Sequence, residues 1–210
     1  MIRILLVDDH PVVRHGIRQI VADGLKTVSI GEASDAEHAM LSIRNDGWDL
    51  VVLDVTLPGA SGLDVLKVIR RDYPSLPVLV LSMHPAAHFA RRALAAGAWG
   101  YLTKDSAPTE LVTAIEEIRR GRRYLGPRRA DWPDTSAQAS LAAPYEALSD
   151  REYQVLRMIG SGLKVSEIAG ALGLSVKTIS TYRTRLLVKL QMRSNAELMR
   201  YAIENGLVDS

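Results

Sequence analysis

The chain has 210 residues, with 26 Lys and Arg against 24 Asp and Glu, and it contains no cysteine. That length suits one large or two ordinary domains with cores of their own, and the missing cysteine excludes disulfides, thiolate metal sites and cysteine nucleophiles. An acidic pair at Asp8 and Asp9 argues against a signal peptide at the start, and no stretch approaches the roughly 18 consecutive apolar residues of a membrane span, so a soluble cytoplasmic chain without membrane insertion is expected.

Charge is unevenly placed along the chain. Residues 1–121 carry 13 basic and 15 acidic side chains, residues 122–146 carry 4 and 3, and residues 147–210 carry 9 and 6. An acidic front and a basic back suit different tasks, although this excess alone does not establish nucleic-acid binding.

Residues 1–121 alternate short apolar runs with longer amphipathic ones. "IRILLV", "TVSIGEA", "DLVVLDV", "PVLVLS" and "WGYLT" read as strands that are apolar throughout, as expected of parallel strands covered on both faces. Between them, "VVRHGIRQIVAD", "SDAEHAMLSIRN", "GLDVLKVIRRD", "HFARRALAAG" and "PTELVTAIEEIRR" have helical spacing, and Pro108 suits the start of the last. The repeat predicts an open, doubly wound α/β fold on a five-stranded parallel sheet with right-handed crossovers. From 122 to 146 the periodicity lapses and prolines and small residues scatter, which predicts an interdomain linker. Trp132 and Tyr145 are expected either to dock on a neighbouring domain or to pack locally.

Residues 147–210 predict a small all-α domain of four helices. Ser149 and Glu152 have capping-box spacing before Val155, Leu156 and Ile159. "KVSEIAGALG" ends at Gly173, Ser175 suits the cap of "SVKTISTYRTRLLVKL", and "SNAELMRYAIENG" stops at Gly206. If Ile168, Ala169, Leu172, Leu174, Ile179, Leu186 and Leu190 face inward, Lys177, Ser180, Thr181, Thr184 and Arg185 stay on the outer side of the third helix. A helix held in that way fits a DNA major groove, and a protein-binding helical bundle is the plainer reading of the same periodicity.

Ligands of an open α/β sheet gather beyond the carboxyl ends of the strands. Asp8 and Asp9 follow the first strand, Asp54 ends the third, Ser82 the fourth, and Lys104 follows the fifth, so all five groups are expected on one rim. Clustered carboxylates repel unless a cation or protons intervene, and hard oxygen donors suit Mg²⁺. An aspartate beside bound Mg²⁺ can attack a phosphoryl group to give an acyl phosphate. Asp54, alone at the end of the central strand, is the candidate nucleophile, Lys104 the phosphate's counter-charge and Ser82 its hydroxyl partner. His10 and His15 lie in or beside the first helix with no matching cluster and are assigned ordinary surface roles.

"VDDHPVVRHG", "VVLDVTLPGASGLDVL", "VLS" and "GAWGYLTKD" closely resemble the receiver domain of two-component response regulators of the NarL/FixJ type. The resemblance implies that Asp54 is the phosphoacceptor, that Asp8, Asp9, Asp54 and the Thr56 carbonyl hold Mg²⁺, and that Lys104 binds the phosphate. It also implies that Ser82 and Tyr101 form a switch pair and that Pro58 and Gly62 belong to the loop after the phosphorylated strand. "LSDREYQVLRMIGSGLKVSEIAGALGLSVKTISTYRTRLLVKLQMRS" resembles the LuxR-type helix-turn-helix domain, with Leu148, Arg151, Glu152, Val155 and Leu156 in the opening signature. By that analogy Lys177, Thr178, Tyr182 and Lys189 contact the DNA backbone, while Ser180, Thr181, Thr184 and Arg185 approach base edges. Tyr182 departs from the family's usual His, and Lys164, Val165 and Ser166 replace its usual Asn-Lys run. The implied partners are a sensor histidine kinase, an operator in double-stranded DNA, a second copy of the chain on that DNA, and RNA polymerase.

Two other readings stay open at this point. The receiver could serve as a dimerisation or docking module without phosphate, or the chain could be an enzyme of haloacid dehalogenase-like chemistry. Thr56 disfavours the enzyme, because it stands where that chemistry needs a second carboxylate two residues after Asp54. A regulator and not an enzyme is therefore expected.

Overall fold

A computed structural model describes residues 1–58, 60–83, 86–124, 126 and 144–208. The chain divides into two compact units, residues 1–133 and 134–210. Most of the expected linker, including Trp132, lies outside the described residues.

In the first unit, strands and helices alternate in the expected order: β1 (Ile2–Val7), α1 (Pro11–Gly24), β2 (Val28–Ala33), α2 (Ala36–Asn45), β3 (Leu50–Asp54), α3 (Gly62–Asp72), β4 (Val78–Ser82), α4 (Ala86–Ala95), β5 (Gly100–Thr103) and α5 (Ala107–Arg119). The strands are all parallel, in the order β2-β1-β3-β4-β5. One sheet face, with Ile4, Leu6, Val52, Leu79 and Leu102, packs on Ile17 and Val21 of α1 and Leu111 and Ile115 of α5. Leu5, Val51, Leu53 and Val80, pointing the other way by the two-residue pleat, are buried as well. Both faces are thus covered, which is why the strand sequences carry no polar alternation.

Local signals set the helix ends. The Asp35 side chain accepts from the His38 amide at the start of α2, the Ser61 hydroxyl accepts from the Leu63 amide at the start of α3, and Pro108 sits in the first turn of α5. The fourth helix begins at Ala86, two residues ahead of the sequence expectation. Beyond α5 the first unit continues: Arg122 pairs with Glu117, and Tyr124 donates its hydroxyl to Glu110 and its amide to the Trp99 carbonyl.

Among the described glycines of the first unit, Gly62, in the turn from β3 into α3, has the tightest surroundings. A Cβ on Gly62 would lie 1.9 Å from the Asp54 carbonyl oxygen and 2.8 Å from the Val55 Cα. The missing side chain lets the Gly62 amide donate to the Val55 carbonyl at 2.8 Å, which folds the loop directly beneath Asp54.

The second unit begins with a 3₁₀ turn at Pro144–Ala147, followed by α6 (Asp150–Gly160), α7 (Val165–Leu172), α8 (Val176–Lys189) and α9 (Asn195–Glu204). Ser149 and Glu152 form the expected capping box. Gly173 ends α7 in the left-handed region at φ +62°, where a Cβ would be strained, and Ser175 caps α8. Against α6 pack α8 and α9, while α7 packs on α8. Tyr145 packs locally, its ring centroid 6.1 Å from that of Tyr153 and 6.5 Å from that of Tyr201.

Because the clash at Gly62 is with backbone atoms, Gly62→Ala is expected to shift the β3–α3 turn and cost about 1–3 kcal/mol, the usual range for overpacking. Urea denaturation of the full chain measures it; an unchanged midpoint would contradict the close approach.

Candidate functional site

The sheet brings the rim residues together. Asp8 follows β1, Asp54 ends β3 and Lys104 follows β5, and the Lys104 ammonium lies 2.7 Å from Asp8 Oδ2 and 2.8 Å from Asp54 Oδ2. All three side chains are almost fully buried. The Lys104 amide donates to the Ser82 carbonyl at 2.8 Å, which ties β4 to the same corner. Asp54 Oδ1 accepts from the Thr56 amide at 3.2 Å, and Asp8 Oδ1 accepts from the His10 amide at 2.8 Å.

One ammonium does not neutralise two buried carboxylates and their neighbour Asp9. Burial pushes the Asp54 carboxyl up to about 6; Lys104 pulls against that rise and the Asp8 charge adds to it. Burial works against the Lys104 charge too, yet Asp54 and Asp8 outweigh it and hold the ammonium above its ordinary value. Asp8 Oδ2 is buried against the Lys104 ammonium, and Asp9 Oδ1 is buried with the exposed His10 ring as its neighbour at 2.7 Å. One ligand atom each from Asp8, Asp9, His10 and Asp54 falls within 4.8 Å of the others. Three carboxylates gathered around one ammonium leave excess negative charge on hard oxygen atoms, which fits a divalent cation such as Mg²⁺.

Ser82 and Tyr101 are both fully buried. Tyr101 pairs with Val80 and Thr103 with Ser82, so the pleat places Ser82 and Tyr101 on the same sheet face, with the aromatic ring inside the protein.

In the second unit, α8 turns Ile179 and Leu186 into the core and leaves Lys177, Thr181, Thr184, Arg185 and Lys189 exposed. Thr178, Ser180 and Tyr182 are half-buried at its margin, as is Leu174, which was expected inside. The Thr181 hydroxyl donates to the Lys177 carbonyl and the Thr184 hydroxyl to the Ser180 carbonyl, each at 3.0 Å. Thr178 is engaged with the Ser175 cap. Lys189 donates to the buried Glu152 carboxylate at 2.6 Å, linking the end of α8 to the start of α6. Burial opposes ionisation of Glu152, but Lys189 and the Ser149 amide and hydroxyl outweigh it and hold its carboxyl below the ordinary value. Arg183 reaches the Asn195 side chain at the start of α9.

Residues 4–116 match the response regulator receiver domain, and residues 146–202 match the luxR family of bacterial regulatory proteins. The chain belongs to the response regulators. It is 38% identical over 220 residues to the response regulator UvrY of Escherichia coli strain K12, covering 100% of this chain and 97% of that one. It is 40% identical over 213 residues to the response regulator GacA of Pseudomonas protegens, covering 100% and 99%. Among solved structures, RcsB from Salmonella enterica serovar Typhimurium, bound to promoter rprA in the presence of BeF₃⁻, is 27% identical with a TM-score of 0.62, over 95% of this chain and 97% of that one. A LuxR-family response regulator from Aurantimonas is 44% identical over 61% of this chain and 91% of that one, with a TM-score of 0.58. With a receiver at 4–116 and a luxR-type domain at 146–202, this response regulator is a two-component transcription regulator and not a typical enzyme.

The structure brings Asp8, Asp9, Asp54, Thr56 and Lys104 of this response regulator to one corner, with Ser82 beside it through its carbonyl. His10, assigned a surface role from the sequence, is exposed, and its Nδ1 lies 2.7 Å from Asp9 Oδ1 and 3.4 Å from Asp8 Oδ1. The signal for that contact was its place immediately after the acidic pair, at a helix start it does not cap. Sequence reasoning missed the engagement of Lys189 with Glu152. Every member of the opening signature, Leu148, Arg151, Glu152, Val155 and Leu156, is buried, so that motif marks the core of the domain.

A raised Asp54 pKa means that the folded receiver binds this proton more tightly than the unfolded chain does. Its contribution is fully present below the ordinary value of 3.8 and is lost as pH rises through about 6. With divalent ions chelated, Asp54→Asn is therefore expected to be more stable than wild type at pH 7.5, by about 3 kcal/mol at most, with the difference fading toward pH 4. Urea titrations at the two pH values check this, and a destabilised Asn variant at pH 7.5 would contradict it. In the second unit, Lys189→Ala strands the buried Glu152. The expected loss is about 1–2 kcal/mol, below that of a fully buried pair because Lys189 is partly open to water, and it is read as reduced amide protection in α6 and α8.

Proposed function

We propose that phosphorylation of Asp54, supported by Mg²⁺, controls DNA binding by this response regulator. The observation that carries this reading is Lys104, a single ammonium between the buried carboxylates of Asp8 and Asp54. A carboxylate whose pKa is about 6 is ionised at neutral pH yet poorly solvated, which favours its attack on phosphorus. One Asp54 oxygen forms the new bond to phosphorus as the bond to the donor's leaving group breaks, and the leaving group departs with that bond's electron pair, as a carboxylate when the donor is an acyl phosphate. Asp8, Asp9, Asp54 and the Thr56 carbonyl would hold Mg²⁺, which when bound supplies positive charge to the phosphoryl oxygens. Lys104 would follow the new charge, and the Ser82 hydroxyl would donate to the phosphate. Ser82 shares its sheet face with Tyr101, so a change at Ser82 would be felt by that buried ring.

The natural donor would be a sensor histidine kinase. The outer side of α8 would enter a major groove with Ser180, Thr181, Thr184 and Arg185 toward base edges, while Lys177, Thr178, Tyr182 and Lys189 position the backbone. Few readable positions on one helix favour a homodimer on paired half-sites, and RcsB, whose dimers have been solved on DNA, supports that arrangement. RNA polymerase would be the downstream partner. A receiver at 1–121, a linker at 122–146 and an output domain at 147–210 would divide the tasks. No helix among the described residues is long and apolar enough to cross a membrane, and a cytoplasmic place suits a chain that acts on DNA.

Incubation with Mg²⁺ and a small acyl phosphate is expected to add one phosphoryl group by intact mass, and none to Asp54→Asn. Bound genomic fragments are then selected with wild type, Asp54→Asn and residues 147–210 at a fixed, low salt concentration, because phosphate contacts weaken steeply with ionic strength. Phosphorylation is expected to raise wild-type affinity for the recovered operator and to leave Asp54→Asn unchanged. Equal affinity with and without verified phosphate would favour the docking-module reading instead.

A further inference from the structure

We infer that the outward stripe of α8 selects thymine, with the methyl groups of Thr181 and Thr184 packing on the C5-methyl groups that thymines present in a DNA major groove. This rests on reading α8 as the helix that enters the groove.

The stripe is chemically odd for a helix that faces water. Lys177, Thr181, Thr184 and Val188 follow one another at helical spacing, all exposed, on the side opposite the buried Ile179 and Leu186. Three of these four are β-branched, a class that loses rotamer freedom in a helix and that an exposed face has no packing reason to hold. Val188, whose side chain is wholly apolar, is 72% exposed. A stripe that gives up helix propensity to show branched apolar groups is fitted to an apolar partner.

The two threonines belong to that apolar surface. Their hydroxyls are turned back onto the helix, Thr181 donating to the Lys177 carbonyl and Thr184 to the Ser180 carbonyl, each at 3.0 Å. Because Cβ is tetrahedral, drawing Oγ1 to the backbone leaves the γ-methyl as the branch that stands away from it.

The major groove holds one complementary group. Thymine alone among the bases shows a methyl there, and threonine is one of the side chains that pack on it. The side chains that read the other polar edges are scarce on this helix: Val176–Lys189 holds no Asn or Gln for adenine and no Asp or Glu for cytosine. Lys177 and Arg185, exposed beside the threonines, are left to serve a guanine or the phosphates. Thr181 and Thr184 stand about 4.5 Å apart along the helix axis, so the thymines they meet lie close together in a half-site.

The test uses the full chain, treated with Mg²⁺ and a small acyl phosphate, and the duplexes it selects from a random-sequence library. Recovered half-sites are expected to carry thymines at fixed positions. Deoxyuridine in place of a contacted thymine removes only the C5-methyl, and in one half-site it is expected to weaken binding about fourfold, the worth of one buried methyl group. Thr181→Ser and Thr184→Ser remove the facing methyl and keep the hydroxyl. Each should cost a similar factor per half-site on the thymine duplex and nothing further on the matching deoxyuridine duplex. Thr181→Val and Thr184→Val keep the methyl and should bind like wild type. Weak binding by the Val variants beside normal binding by the Ser variants would overturn the inference and assign readout to the hydroxyls. Deoxyuridine without effect at every thymine would overturn it too, with DNA binding left in place. A full chain that retains no sequence from the library at low salt would overturn the reading of α8 itself, and this inference with it.

Discussion

The contact of Lys104 with Asp8 and Asp54 is the constraint around which the receiver is arranged. Each charge comes from a different strand end, so the corner exists only when β1, β3 and β5 hold their places in the parallel sheet. Burying such groups is poor economy for stability, since desolvation offsets most of the attraction. What the arrangement achieves is a carboxylate held ionised but under-solvated at neutral pH. The loop beneath it follows from the same requirement, because only a residue without Cβ at position 62 lets α3 begin against the Asp54 carbonyl.

The C-terminal unit uses a second buried carboxylate differently. Glu152 completes the capping box of α6 and accepts from Lys189 at the far end of α8, so one side chain fixes both the start of one helix and the tilt of another. The face left outward is rich in hydroxyls that are already occupied: Thr181 and Thr184 donate to carbonyls of their own helix. Their hydroxyl protons are thus engaged, and what these hydroxyls still offer outward is the acceptor capacity of the oxygen.

Much of this was legible in the sequence because the signals are local. Strand and helix order followed from apolar runs and spacing, and Ser149, Ser175 and Gly173 marked helix ends through their own backbone preferences. The strand-end rule placed Asp8, Asp54, Ser82 and Lys104 on one rim before any coordinates. What escaped were contacts between residues distant in sequence, or rings free to turn. Nothing in the pattern distinguishes a solvated Lys189 from one seated on Glu152, since the two are 37 residues apart. His10 was given a surface role for want of a matching cluster, and its side chain is indeed 61% exposed, but the structure turns its ring toward Asp9. Leu174, read as core from periodicity, is half-buried because it lies in the turn after Gly173, where helical spacing no longer applies.

The sequence distance between Lys104 and its partners also bears on how the chain emerges from the ribosome. Lys104 follows Asp54 by 50 residues, so β1 and β3 are made well before the counter-charge for their acidic corner exists. A nascent chain that has passed Asp54 but not Lys104 holds carboxylates that favour water over the sheet rim, and the strand that will carry the lysine is the last of the five. Completion of the rim is therefore tied to completion of the receiver, and a product ending before β5 would be left with an unbalanced, open corner.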